Sequence, residues 1–426
     1  MNASLLARRN QALGTGAALF YDTPLNIVRG DGVYLFDAEG RRYVDMYNNV
    51  PCVGHANPEV AHAIARQQAT LNVHSRYLHE GIVAFAERLT ALHGPQIESV
   101  VFSCSGTEAN EVAVRMARFA SGKRGVVCTD ATYHGNSELV GGMTRIGVGH
   151  ADRPDLATFP FPELYRPLGA ALSEDDLTEA YLDRLRQAIA GLEASGAGFA
   201  ALIVCSIFAN EGLPDVPRGF MAKAAEIARA AGGLVIADEV QAGYGRTGRW
   251  WGYEVTGFNP DIVVTGKPMG NGVPLAATAA SKALVDGFRA RTRYFNTFAS
   301  SPLQAAAGMA VLDILERDGL REKAASVGAG LKAALAARTS QRDWIGDVRG
   351  QGLFIGVEIV TDAASKSPDR ERAVDIANRL MRKGFLTSNA GALGNVVKIR
   401  PPLVFSEENA TSFLGAFDAV VAEIGA

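Results

Sequence analysis

Residues 199–205 read Phe-Ala-Ala-Leu-Ile-Val-Cys, residues 234–239 read Leu-Val-Ile-Ala-Asp-Glu, and residues 261–268 read Asp-Ile-Val-Val-Thr-Gly-Lys-Pro. Each run is apolar throughout instead of alternating. A strand of that kind is buried on both faces, and strands separated by helices argue for a parallel sheet covered on both sides. A helix over Pro217–Ala231, stopped by Gly232-Gly233, lies between the first two runs, and a helix over Asp183–Ser195 precedes the first. Upstream the same alternation holds. Ser99–Phe102 reads as a strand, Thr107–Ala120 as a helix with Val112, Met116 and Phe119 on one face, and Gly125–Cys128 as a strand. Nearer the N-terminus, Gly32–Phe36 and Arg41–Tyr47 read as a hairpin, and Asn57-Pro58 opens a helix, since Asn caps and Pro suits the first turn. Beyond residue 300 the pattern turns mostly helical, over Pro302–Arg317, Glu322–Ala337, Arg370–Lys383 and Glu407–Ile424. Strands Leu353–Ile359 and Val396–Ile399 lie among these helices. The expected organisation is an N-terminal segment and hairpin (1–55) packing with the small domain, a large cofactor-binding α/β domain (56–305), and a small C-terminal α+β domain (306–426).

Composition narrows the function. The chain has 426 residues, with 42 Lys and Arg against 45 Asp and Glu, a net charge of −3. That balance carries no basic footprint for nucleic acid and no polybasic membrane patch. No run of eighteen apolar residues occurs, and the first residues lack the uninterrupted apolar stretch of a secretory leader. Cys52, Cys104, Cys128 and Cys205 include no CxxC pair, which argues against a disulfide framework or a zinc ribbon. A cytoplasmic enzyme without a metal set is the expectation. The 46 glycines exceed the usual share of about 7% and suggest many tight turns.

Gly243-Tyr244-Gly245-Arg246-Thr247-Gly248 is literally GxGxxG. Five residues separate it from the preceding strand, however, and Arg249-Trp250-Trp251 is a poor helix start. The dinucleotide mechanism needs a helix N-terminus at the pyrophosphate, so a nicotinamide dehydrogenase is the most distant alternative. Ser105-Gly106-Thr107 is a better phosphate site, because it follows a strand and opens a helix whose first N–H groups are unpaired. Taken alone it is first an ordinary Ser/Thr helix cap. Asp238 stands at a strand's carboxyl end, where ligands of parallel sheets bind, and alone reads as a solvated loop acid. Lys267 ends another strand after Gly266. It reads either as a snorkelling surface lysine or as a partly desolvated amine able to form Schiff bases. Together the three match the handles of pyridoxal phosphate: phosphate arm, ring nitrogen and aldehyde.

With those residues in place, the whole chain resembles a class III aminotransferase, of the fold-type-I family of pyridoxal phosphate enzymes. Ser105-Gly106-Thr107-Glu108-Ala109-Asn110 resembles the family's phosphate turn. Tyr133-His134-Gly135 resembles its aromatic shelf, and Glu211-Gly212 its acidic turn. Asp238-Glu239-Val240-Gln241, followed by Gly243–Gly248, resembles the family signature. The resemblance implies that Asp238 pairs with the ring nitrogen, Val240 packs on the ring, Gln241 lies by the ring hydroxyl, and Lys267 is the Schiff-base lysine and base. Asn296-Thr297-Phe298 resembles the segment whose Thr reaches the other subunit's phosphate, implying a homodimer with shared active sites.

Within the family several stretches are most similar to the phospholyase subgroup, which eliminates phosphate from phosphoethanolamine or phosphohydroxylysine. They are Asn48-Asn49-Val50, Ser75-Arg76-Tyr77-Leu78-His79-Glu80, Lys267–Gly272, Tyr294–Phe298 and Lys398-Ile399-Arg400-Pro401-Pro402. Asn49, Arg76, Tyr77 and Arg400 are the implied substrate residues. Arg76 and Arg400 are candidate anion holders, though either suits a structural ion pair equally. Many amine aminotransferases carry a mobile Arg shortly before the Pro-Pro pair, and Gly391 falls at that place. The subgroup's usual His residues are replaced by Cys52 and Val273, and Ala299-Ser300-Ser301 replaces a more usual Gly-Gly-Asn. The expected reaction is therefore a lyase-type elimination from an anionic primary amine, with an omega-amino acid or amine:pyruvate aminotransferase as the alternative.

Overall fold

The computed structural model describes residues 2–144, 153–169, 172–340 and 342–424. Its strands, in chain order, are β1 Ile27–Asp31, β2 Tyr34–Asp37, β3 Arg42–Asp45, β4 Ser99–Ser103, β5 Gly125–Thr129, β6 Leu156–Phe159, β7 Phe199–Cys205, β8 Leu234–Asp238, β9 Ile262–Thr265, β10 Ala276–Ala280, β11 Ile345–Gln351, β12 Phe354–Ile359, β13 Phe385–Leu386, β14 Ser388–Ala390 and β15 Val396–Ile399. The central sheet has seven strands in the order β4-β10-β9-β8-β7-β5-β6. Strands β9, β8, β7, β5 and β6 are parallel neighbours, and β10 runs antiparallel to both β4 and β9. This is the expected α/β architecture, a mostly parallel sheet covered by helices.

All seven residues of β7 are buried, because the sheet is covered twice. Side chains alternate between faces along a strand. Ala201 and Ile203 pack with Val112, Ala113 and Met116 of the helix Gly106–Ser121. Leu202 and Val204 pack with Leu182, Leu185 and Phe220 of the helices Glu174–Ala194 and Phe220–Ala230.

Several elements differ from the sequence reading: the helices Asn2–Leu13 and Lys282–Thr292 and the strands β1, β6 and β11 had no counterpart in it, and two further differences have a clear physical reason. The helix expected from Asp183 begins at Glu174, where the Ser173 hydroxyl accepts from the Asp176 N–H and three acids occupy the first turn. The strand β10 was not expected at all, since Ala-Ala-Thr-Ala-Ala favours helix. Tertiary packing overrides that preference. The helix Gly106–Ser121 presses so close that the Thr278 hydroxyl donates to the Ala109 carbonyl at 2.7 Å, leaving room only for short side chains.

The glycine-rich turn after β8 opens no helix. Gly248, at φ +85°, lies where a Cβ would stand 2.7 Å from that of Ala325 on the helix Leu320–Thr339, so its glycine serves close packing.

Among the described residues there are two smaller sheets. One is antiparallel, β11-β12-β15-β14; the other is β1-β2-β3-β13, in which β13 pairs parallel with β3 through Phe385 and Val44. Among the described residues no helix is long and apolar enough to cross a membrane.

The register of the central sheet makes the site. Cys205 lies opposite Asp238, and Asp238 opposite Val264, so the carboxyl ends of β7, β8 and β9 come level. Ser103 at the end of β4 pairs with Ala276, which brings the turn after β4 to the same edge. Ligands of such sheets bind at that edge.

Candidate active site

The turn after β4 begins the site. Ser105 caps the helix Gly106–Ser121, its Oγ accepting from the Glu108 N–H at 3.2 Å. Glu108 returns the bond, its Oε2 accepting from the Cys104 N–H at 2.7 Å. The next N–H groups have no carbonyl partner within the helix and face the cavity as an anion cradle. Glycine is required around it. A Cβ at Gly106 would meet Val240 Cγ2 at 3.0 Å, and one at Gly135, φ +139°, would meet Thr107 Oγ1 at 2.7 Å.

Asp238, only 5% exposed, closes β8 across the cavity. Its Oδ2 meets His134 Nδ1 at 2.7 Å and accepts from Asn110 Nδ2 at 2.9 Å, while Oδ1 accepts from the Val240 N–H at 3.0 Å. Burial by itself would raise the Asp238 pKa. The His134 ring, the Val240 N–H and the Asn110 amide outweigh burial and hold the carboxyl below its ordinary value. His134 is steadied in turn, with Nε2 at 2.9 Å from the Thr132 hydroxyl.

Lys267 follows β9 and Gly266 with φ +21°, a conformation that side chains rarely adopt and that tends to occur at functional sites. Burial, then the charge of Arg400, pushes its ammonium below the ordinary lysine range, against the pull of Asp238. A lowered amine is a better nucleophile and base near neutrality.

These groups enclose a cavity of about 350 Å³ lined by Ser105, Gly106, Thr107, Tyr133, His134, Asp238, Val240, Gln241 and Lys267. Tyr133 presents its ring at the mouth, 42% exposed. Gln241 donates from Nε2 to Asn210 Oδ1 at 2.9 Å and accepts from Arg400 Nη1.

The remaining predicted residues lie off the cavity wall. Glu211 is buried one layer back. The Thr129 hydroxyl donates to its Oε1, its Oε2 has no partner, and burial raises its pKa to about 7. Asn49 is spent internally, donating to the carbonyl of Gln241 and accepting from Arg246 Nε. Arg76 stacks over the Phe295 ring at 4.0 Å, and Tyr77 is 63% exposed. Thr297 is exposed, in a segment whose Asn296 side chain is tied to Glu108 Oε2 at 3.2 Å.

Sequence reading quoted Asn110 and Lys398 only as members of longer stretches, without a role, and did not single out Thr132. Asn110 shares an i, i+3, i+7 stripe with Ala113 and Ala117, and Lys398 interrupts the apolar run of β15. A polar residue inside an apolar pattern is the signal that Asn110 and Lys398 offered; Thr132, in a polar loop, offered none.

The cavity suits a flat aromatic aldehyde with a phosphate arm and a protonated ring nitrogen. The helix N-terminus matches the phosphate, the ionised Asp238 the ring nitrogen, and the Lys267 amine the aldehyde. Comparison with known proteins agrees. The family model for class-III aminotransferases matches residues 18–421. An alanine–glyoxylate aminotransferase 2-like protein of Drosophila melanogaster is 37% identical over 96% of this chain and 85% of its own. An ethanolamine-phosphate phospho-lyase homolog 1 of Caenorhabditis elegans is 32% identical over 98% and 93%. Among solved structures, a phospholyase from Arthrobacter in complex with phosphoethanolamine superposes with a TM-score of 0.95 at 40% identity, covering 98% of this chain and 99% of that one. The chain belongs to the class-III aminotransferase family of enzymes, whose cofactor is pyridoxal 5′-phosphate.

Proposed function

We propose that this enzyme eliminates an anionic leaving group, phosphate foremost, from a primary amine and releases an aldehyde and ammonia. For an amine such as phosphoethanolamine the balance is amine plus water giving acetaldehyde, ammonia and phosphate. The observation that supports this reading best is at Gly391. It has φ +91°, and a Cβ there would stand 3.0 Å from Val396 Cγ2 and 3.6 Å from the Gly212 Cα. The position where amine aminotransferases carry a keto-acid-binding arginine is thus filled by backbone and Val396. Glu211, whose carbonyl faces Gly391, has no cation bonded to it among the described residues. Arg349 reaches this corner, its Nε donating to the Gly212 carbonyl at 3.0 Å, but its guanidinium is already paired with Glu358. The similarity to the Arthrobacter phospholyase favours the same reading.

In this reading Ser105, Gly106 and Thr107 hold the cofactor's phosphate, Tyr133 and Val240 bracket its ring, and Gln241 meets its hydroxyl. Asp238, kept ionised by His134 and Asn110, presents a carboxylate to the ring nitrogen. When bound, pyridoxal phosphate supplies an electron sink for the bond broken next to the substrate nitrogen. Lys267 Nζ takes the proton from that carbon, a role that its lowered basicity suits. Glu211, its pKa raised by burial to about 7, lies behind the ring mostly uncharged below neutral pH. Thr297, with Arg76 and Tyr77, is exposed and serves the site of a second copy in a homodimer. Cys52, Cys104 and Cys205 form no disulfide, which suits a reducing cytoplasm.

A class-III aminotransferase reaction is the second reading, carried by the Drosophila relative. One time course separates them. Incubated with phosphorylated primary amines and no keto acid, the enzyme should release phosphate and ammonia in equal amounts. Activity only with pyruvate or another keto acid, with an amino acid accumulating stoichiometrically, makes it an aminotransferase.

A further inference from the structure

Strand β15 sends Val397 and Ile399 into the core. Its other face carries Val396 and Lys398, continued by Arg400 just past the strand, and this face turns toward Gln241 and Lys267. Lys398 is 7% exposed and Arg400 4%. Neither meets a carboxylate among the described residues. Arg400 donates to the Tyr47 carbonyl at 3.0 Å and to Gln241 Oε1, both neutral groups. Among the described residues Lys398 has only the Tyr47 ring, 5.3 Å from its Nζ.

The buried acids nearby are committed elsewhere. Asp45 bonds His55 and the N–H groups of Tyr47 and Asn48, and Glu358 bonds Arg349 and Arg166. Asp238 is held by His134. Burial, then the charges of Arg400 and Lys267, drives the Lys398 ammonium well below its ordinary range. Without a counter-charge the buried amine gives up its proton, and it regains the charge when an anion that the protein itself does not supply enters beside it and Arg400. The cofactor's phosphate does not serve, since its cradle is at Ser105–Thr107, across the cavity from Gln241.

We propose that Lys398 and Arg400 form a second anion site that takes a tetrahedral dianion carried by the substrate amine, with Lys398 setting the preference for a dianion over a carboxylate. The proposal rests on the anionic-amine reading above and deepens it. The guanidinium offers a planar fork and the ammonium a compact point charge. Two charges match a phosphate or phosphonate dianion; a carboxylate leaves one of them unmatched.

The test uses cofactor-loaded enzyme, in which the cradle is filled, titrated calorimetrically with methylphosphonate and with acetate. Wild type should bind methylphosphonate at least tenfold tighter than acetate, and inorganic phosphate should compete. Lys398→Met, with cofactor absorbance unchanged, should bring the two ligands to near parity, and Lys398→Arg should restore most of the preference. Equal binding of both ligands by wild type, or a preference that survives in Lys398→Met, overturns the proposal. If Lys398→Met does not retain cofactor, wild type decides. Its affinity must rise as methylphosphonate passes through its second ionisation, and a flat profile refutes the site. Phosphate release from phosphoethanolamine, run in parallel, keeps the two readings apart. Lys398-dependent anion binding without phosphate release removes the lyase reading and leaves the site. Phosphate release with a Lys398→Met enzyme unchanged in binding and KM does the reverse.

Discussion

His134 Nδ1 stands 2.7 Å from Asp238 Oδ2, and this contact helps keep ionised the carboxylate proposed to meet the cofactor's ring nitrogen. Burial alone would push Asp238 toward its neutral form, and His134 is the largest influence acting against it. His134→Ala should therefore raise the Asp238 pKa. Because the ionised form is the useful one, the acid limb of the kcat profile should move to higher pH, with cofactor still bound. A pH profile superposing on that of wild type assigns His134 to packing only.

Asp238→Asn removes the charge and keeps the shape. An amide does not hold a proton on the ring nitrogen, so proton abstraction loses its driving force. The rate should fall on the order of 10³-fold, about 4 kcal/mol of barrier. Retained cofactor absorbance with a rate within a few-fold of wild type removes the proposed role.

Lys267→Ala should leave a folded protein that holds cofactor without a covalent link. Borohydride treatment followed by peptide mass spectrometry should find the adduct at Lys267 in wild type and at no lysine in the variant. Turnover should fall by at least roughly 10³-fold. An adduct on another lysine, with near-normal rate, moves the assignment to that residue.

Glu211 makes the stability of the protein depend on pH. Burial raises its pKa from an ordinary 4.5 to about 7. The folded state thus binds the proton more tightly than the unfolded state. Its contribution is fully present below about pH 4.5 and is lost as pH rises through about 7. The loss is on the order of 3 kcal/mol. Glu211→Gln should flatten the denaturant-unfolding stability of the cofactor-free enzyme across that window and make the variant the more stable one at pH 8.

Gly391→Ala places a Cβ 3.0 Å from Val396 Cγ2 at a backbone φ of +91°. Strain of that kind costs about 1–3 kcal/mol. Urea unfolding should show a loss in that range, and a neutral substitution would indicate that this corner relaxes freely.

Much of this protein was legible one residue at a time. The apolar runs of β7, β8 and β9 announce burial on both faces without any knowledge of neighbours, because a two-sided environment leaves no polar position in the pattern. Ser105, Asp238 and Lys267 were found by their places at strand ends, and register alone brings those ends level. Local signals failed where packing chose otherwise. Five small residues became β10 because a helix lies close above them, against their intrinsic preference. Only the tertiary structure decided the electrostatics. Nothing local to residue 134 says that its imidazole will face residue 238, and nothing local to residue 398 says that its ammonium will lie buried beside Arg400 with no acid to meet it. Chemical types and periodicities belong to the chain and can be read from it. Distances, burial and charge balance arise between segments hundreds of residues apart, and they come into being only when the sheets close on one another.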